Sequence, residues 1–272
     1  MGAKFRALIS DFLADARHLQ IITLGGLLGF LSFHHDFAPG IEVIALVVSF
    51  ALLTQYACLK YVGLPSTDLR SALITSLSLC LLFKAAALWL YPLAAIAAVS
   101  SKFFLRYQGR HLFNPANFAI VSGLIVFPDL VWVSPGQWGS DVFLAFALSA
   151  AALAVLGTAR RGDISLFFLV FWGALTFGRA LWLGDPLSIP VHQFQSGALL
   201  IFAFFMISDP KTTPGNKMGR ALFALGVACL AFTLQYAFQV REALFYALFA
   251  VCVSTPFLDS VFKGQDYKWR QI

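Results

Sequence analysis

The sequence predicts an all-α integral membrane protein of about ten transmembrane helices, and two observations predict it. Of 272 residues, 60% are hydrophobic and only 12% charged, about half the charged share of an ordinary soluble domain. The apolar residues fall into runs of near-membrane length, and Lys and Arg are confined almost entirely to alternate connections between those runs.

The first run, 18–34, follows Lys4, Arg6 and Arg17. No small-residue cleavage site comes after it, so it reads as a retained span and not a signal peptide. The run 41–59 ends at Lys60, and 71–84 opens just after Arg70. The run 86–104 leads into Lys102, Arg106 and Arg110, and 115–128 opens at Pro115. The segments 71–84 and 115–128 are short, and 71–84 with 86–104 can also be read as one kinked helix with a tail. In the second half, 141–158 ends before Arg160 and Arg161, and 164–182 carries Arg179 near its end. The run 194–208 precedes Lys211, Lys217 and Arg220; 219–238 and 242–260 follow, with Lys263, Lys268 and Arg270 beyond.

On this count sixteen of the 19 basic residues lie on one face, leaving Lys84, Arg179 and Arg241 on the other. The positive-inside rule then places both termini in the cytoplasm. Ten spans are compatible with two inverted five-helix repeats. One polytopic membrane domain is expected over 1–272, with halves of about 1–130 and 141–272.

The formal net charge of +6 does not point to nucleic acid, because the basic residues lack an interleaved aromatic stacking platform. The acidic residues Asp36, Glu42, Asp129, Asp141, Asp185 and Glu242 map to outer loops or helix ends, which disfavours a carboxylate relay through the bilayer. His18, His34, His35, His111 and His192 avoid the middle of the spans, so a bis-His haem has no support. Cys58, Cys80, Cys229 and Cys252 lie in apolar segments without a CxxC and read as small hydrophobes. No metal site is predicted. The loop "WVSPGQWGSD" reads as an interfacial turn anchored by Trp132 and Trp138, and the 29 phenylalanines as lipid-facing or packing residues.

Two stretches carry polar groups where the surroundings are apolar. In "RHLFNPANFAI", residues 110–120, Asn114 reads as a helix cap and Pro115 as the first helical residue. A cap leaves Asn117 unexplained. Two amides three residues apart share a face, and in a cavity they can donate to and accept from a heteroaromatic ring edge. Capping and ligand binding both remain open. As a cap alone, Asn114 should tolerate Asp or Ser, which keep an acceptor. The second stretch, "FFMISDPKTTPGNKMGR", residues 204–220, ends a helix at Asp209-Pro210 and turns at Pro214-Gly215. Its Ser208, Thr212 and Thr213 can satisfy freed backbone groups, so turn chemistry alone can account for it.

"FNPANF" after a basic loop, followed roughly eighty residues later by "SGALLIFAFFMISDPKTTPGNKMGR", resembles the RnfD/NqrB family of bacterial membrane electron-transport subunits in both order and separation. "DARHLQI", 15–21, also resembles the shorter relatives labelled enediyne-biosynthesis membrane proteins. The resemblance covers most of the chain, although its specific motifs occupy only the two stretches. It implies a ten-helix fold, a place among the subunits of a membrane electron-transfer complex, and a non-covalent flavin, riboflavin or FMN, near the cytoplasmic side. It further implies that Asn114 and Asn117 contact the ring, with Lys102 a weaker candidate. Pro115, Ser208, Asp209, Thr212 and Thr213 complete the candidate set. The family's second flavin, FMN esterified to a Thr of a Ser-Gly-Ala-Thr motif, is not implied here, because Ser196-Gly197-Ala198 is followed by Leu199, which has no hydroxyl. A carrier for a small neutral solute, or a scaffold subunit without its own cofactor, fits the same composition.

Overall fold

The computed structural model describes residues 15–34, 39–63, 68–134, 157 and 162–264. The predicted span 141–158 apart from Gly157, the residues around Trp138 and both chain ends fall outside those residues.

The chain is mostly helical. In order, α1 (Ala16–His34), α2 (Ile41–Val62) and α3 (Arg70–Leu82) lead into the short strand β1 (Phe83–Ala85). Next come α4 (Leu90–Phe104), the hairpin β2 (Arg106–Tyr107) and β3 (Arg110–His111), α5 (Pro115–Val126) and β4 (Val131–Val133). The second half holds α6 (Gly162–Leu183), α7 (Ser188–Phe194), α8 (Gly197–Ile201) running into a π-turn at Phe202–Met206, α9 (Lys217–Tyr236), α10 (Ala243–Cys252) and α11 (Thr255–Val261).

The expectation of about ten transmembrane helices is overturned. Among the described residues, three helices are long and apolar enough to cross a membrane: α2, α6 and α9. The count reaches five if each of two bent pairs is one span, α7 with α8 and its π-turn, bent by 53°, and α10 with α11, bent by 50°. The inverted five-helix repeats fall with the count. The physical reason is that hydropathy registers an apolar run but not a break inside it. The runs 71–84, 86–104 and 115–128 become α3, α4 and α5, of 13, 15 and 12 residues. At 1.5 Å per residue these reach roughly 18–23 Å, short of the ~30 Å hydrocarbon layer. The helix α1 has 19 residues, but Arg17, His18 and Gln20 crowd its first turns, and it is not among the three.

What interrupts the apolar runs is β structure. Strand β1 ends α3 and pairs antiparallel with β4 beyond α5, Lys84 facing Trp132 in the register. Tyr91 closes the same corner, its hydroxyl donating to the Ala85 carbonyl and accepting from the Ala85 amide. Backbone without helix must be satisfied locally where water is scarce, and this pairing does so.

Packing follows two groups. In the first, α1 lies on α3, α2 on α3 and α4, and α4 on α5; in the second, α6 and α10 flank α9. They meet where α5 packs on α10. Every residue of α8 and its π-turn is buried, and Ser165 of α6 donates to the Ala203 carbonyl in that turn at 2.6 Å. Large exposed apolar side chains such as Ile41, Leu53, Leu181 and Trp182 sit on the helix exteriors, as lipid contact requires.

Candidate functional site

Asn114 caps α5 as its sequence neighbours dictate. Its backbone is extended, Pro115 takes the first helical position, and Oδ1 accepts from the Asn117 amide at 3.1 Å. The other half of the carboxamide is used elsewhere: Nδ2 donates to Asp209 Oδ2 at 3.3 Å. Thus the two polar stretches of the sequence meet in space.

Asn117 is 0% exposed. Its Nδ2 donates to the Phe245 carbonyl of α10 at 3.1 Å, and its Oδ1 has no partner. Among the described residues only four buried side-chain atoms lack a partner, and Asn117 Oδ1 is one of them. A buried amide oxygen left unpaired is costly, so a ligand donor there gains more than an ordinary hydrogen bond. Phe113, Phe118 and Phe249 flank the site; Phe113 and Phe249 stack with centroids 4.6 Å apart and planes at 13°.

The turn after the π-segment is organised around Asp209. The Lys211 amide donates to its Oδ1 at 3.0 Å, and the hydroxyls of Thr212 and Thr213 donate to its backbone carbonyl at 3.3 and 3.0 Å. Burial pushes the Asp209 carboxyl above the usual carboxylate range, against the pull of the Lys211 backbone, the Lys211 and Lys102 charges and the Asn114 amide. Ser208 turns back to the Phe204 carbonyl of its own helix. Lys102 is 5% exposed and donates to Ser71 Oγ at 3.2 Å; its charge acts on Asp209 without an ion-pair contact. Asn114, Asn117, Asp209, Thr212 and Thr213 therefore form one junction headed by Pro115. Ser208 and Lys102 stand at its edge.

Sequence reasoning misses three participants. Arg110 donates to the carbonyls of Lys211, at 3.2 Å, and Thr213, and to Asp259 Oδ2 at 2.9 Å, tying the β2–β3 hairpin to the Asp209 turn and to α11. Asp259 also accepts from the Gly215 amide at 2.8 Å. Phe245 contributes only a backbone carbonyl, which no side-chain pattern encodes.

Three of the four cysteines are buried and all are free, with Cys229 exposed. No group of three or more His, Cys, Asp or Glu residues that could hold a metal ion occurs among the described residues.

Comparison with known proteins converges on one family. The model of the NQR2, RnfD, RnfE family matches residues 130–268. Relatives named as one of the subunits of an ion-translocating oxidoreductase complex are similar over most of their length. That of Pseudomonas paraeruginosa is 26% identical, over 74% of this chain and 75% of the relative. Those of Halorhodospira halophila and Stutzerimonas stutzeri are 25% and 24% identical, over 84% of this chain and 84% and 85% of theirs. With half of its length matched by the family model, the chain belongs to the NQR2, RnfD, RnfE family.

Proposed function

We propose that this protein is an electron-transfer subunit of a multi-subunit complex in the bacterial inner membrane, and that it holds a non-covalent flavin, riboflavin or FMN, at the Asn114–Asn117 junction. Family membership and the membrane-length helices support the first part. One observation carries the second: the Asn117 Oδ1 is a fully buried acceptor without a donor. The imide N–H of an isoalloxazine ring is a donor of the kind this oxygen lacks. Asn114, Pro115, Lys102, Ser208, Asp209, Thr212 and Thr213 are the remaining proposed contacts.

A flavin supplies one- and two-electron redox chemistry, which no side chain of this site offers. The protein's share is to bind and tune. Asn117 fixes the ring edge, Phe113 and Phe249 offer flat apolar faces, and Asp209 with Lys102 sets the local charge. The basic residues beside both polar stretches support a cytoplasmic side for this junction, and the same rule is the basis for proposing cytoplasmic termini. Single cysteines at positions 108 and 215 should label from the cytoplasm and at 187 and 241 from outside.

The deciding experiment is the absorption spectrum of detergent-purified protein supplied with riboflavin and FMN, alongside Asn117→Asp and Asn117→Leu. Loss of one buried hydrogen bond weakens binding by about 1–3 kcal/mol, roughly five- to 150-fold. Flavin in the parent and little in both variants is the expected result. A parent without flavin, or variants with a full complement, would make the junction a structural latch, and the chain a carrier of a neutral solute or a scaffold subunit.

A further inference from the structure

The π-turn that leads into the junction is held by a contact from outside its own helix. In an α-helix the Ile207 amide bonds the carbonyl four residues back, that of Ala203. Here it goes one residue further, to the Phe202 carbonyl at 3.0 Å. The Ala203 carbonyl is taken instead by Ser165 Oγ of α6, which donates to it at 2.6 Å. Both residues are buried, so without that hydroxyl the carbonyl has no water to turn to.

Ser165 differs from the other hydroxyl of its helix. Thr176 donates back to its own Trp172 carbonyl at 2.9 Å, whereas Ser165 reaches across 38 residues of sequence. Its place is fixed by Asp163, two residues earlier, which Arg220 of α9 grips through both carboxylate oxygens at 2.6–3.1 Å. Beyond the π-turn, the Asp209 amide donates to the carbonyl of the last turn residue, Met206, at 3.3 Å. The register of the turn is therefore carried directly to Asp209. Rewinding it to α returns the Ile207 amide to Ala203 and rotates the following residues by about 100°, with a shift of ~1.5 Å. The 3.3 Å contact of Asn114 Nδ2 with Asp209 Oδ2 does not survive such a rotation.

We propose that Ser165 is a positioning residue for the junction: by holding the Ala203 carbonyl it fixes the π register, and that register places Asp209 against Asn114. Single π-turns within helices are frequent at functional sites. Any effect on a bound flavin rests on the function proposed above, whereas the contact itself can be followed without ligand.

The test uses the full-length protein in detergent with no flavin added. A double-mutant cycle of Asn114→Ala and Asp209→Ala, read by unfolding temperature, measures the coupling of the two side chains. Asp15→Ala and Arg70→Ala provide the control cycle, because that ion pair joins α1 to α3 in the other helical group. Both cycles are run in the parent and in Ser165→Ala, Ser165→Cys and Ser165→Thr. The coupling of positions 114 and 209 is expected to be lost in the Ala and Cys variants and kept in Thr, which retains the hydroxyl, with the control coupling unchanged throughout. Ser165→Cys keeps the volume with a weaker donor, and serves where the Ala variant does not fold. A coupling that survives in Ser165→Cys, one lost together with the control, or a parent without coupling overturns the proposal. Flavin retention is read separately with riboflavin and FMN supplied, and should fall in the Ala and Cys variants but not in Thr. A parent that retains none counts against the function proposed above alone, since the coupling is measured without ligand.

Discussion

The Asn114 carboxamide donates to the Asp209 carboxylate at 3.3 Å across 95 residues of sequence. This contact joins the head of α5 to the turn after the π-segment, and so couples a helix cap to the second polar stretch. It also changes what substitution at position 114 should do. As an isolated cap, Asp or Ser would be tolerated, but here an Asp would place one carboxylate against another, and two such groups cannot both ionise cheaply.

Asn114→Ser is therefore expected to be the mildest change, and Asn114→Ala to cost about 2–4 kcal/mol through loss of the cap and of a bond to a charged acceptor. Asn114→Asp should be at least as damaging at neutral pH and should recover towards the parent as pH falls, because protonating one carboxyl removes the repulsion and restores a donor. Thermal unfolding of the three variants across pH checks the order. An Asn114→Asp protein as stable as Asn114→Ser at neutral pH would show that the Asp209 contact contributes nothing.

Arg110→Gln should loosen the hairpin from the Asp209 turn. It removes donors to the Lys211 and Thr213 carbonyls and to Asp259. The expected loss is roughly 3 kcal/mol, since breaking a partly buried pair strands the other charge. Asp259→Asn should be milder, because its amide oxygen can still accept from Gly215. A double-mutant cycle of the pair measures the coupling, and additivity would mean the ion pair is not what holds the hairpin.

The sequence exposes those features whose cause is local. Asn114-Pro115 forms a cap whatever lies around it, and the turn at Asp209-Pro210 follows from its own residues. The meeting of the two stretches, Asn114 on Asp209, is not legible in their spacing. The breaks are hidden. Phe83–Ala85 is as apolar as its neighbours apart from Lys84, and only pairing with Val131–Val133, nearly fifty residues on, makes it a strand. The π-turn at Phe202–Met206 leaves no mark in a run of Phe and Ala, and the 53° bend falls earlier, at the break between Phe194 and Gly197. Partners supplied by backbone, such as the Phe245 carbonyl, are set by how α10 packs on α5.

Asp15, Arg17, Asp68 and Arg70 form a closed ring of ion pairs at the N-terminal ends of α1 and α3, with contacts of 2.6–2.8 Å, two of which join the two ends. Hydrogen bonds from Arg70, working against burial, hold the Asp68 carboxyl down to about 2, and Asp15 is lowered by Arg17 despite its burial. Both folded values lie below the unfolded ones, so their contribution to stability is complete above the ordinary carboxyl value of 3.8 and is lost as pH falls towards 2. Asp68→Asn should lower unfolding temperature at neutral pH and flatten the acid decline. A decline of unchanged steepness in Asp68→Asn would remove the ring as its source.

Covalent flavin should be absent. Ser196-Gly197-Ala198 stands at the head of α8, and the next side chain, Leu199, is 3% exposed and has no hydroxyl. The other hydroxyls near the junction are occupied: Thr212 and Thr213 are 1% and 0% exposed and donate to the Asp209 carbonyl. A phosphoester at either would need the buried turn around Asp209 to open and would remove one hydroxyl donor from its carbonyl, a loss of about 0.5–1.5 kcal/mol on top of the opening. Protein purified with excess riboflavin and FMN, denatured and run on a gel, is therefore expected to show no flavin fluorescence in the protein band, whatever the native spectrum contains. Substituting Thr for Leu199 should not create attachment, because that position is packed inside the protein. A fluorescent band in the parent whose tagged peptide contains Thr212 or Thr213 would mean that this turn opens in the membrane, and that its hydroxyls hold the cofactor instead of the backbone.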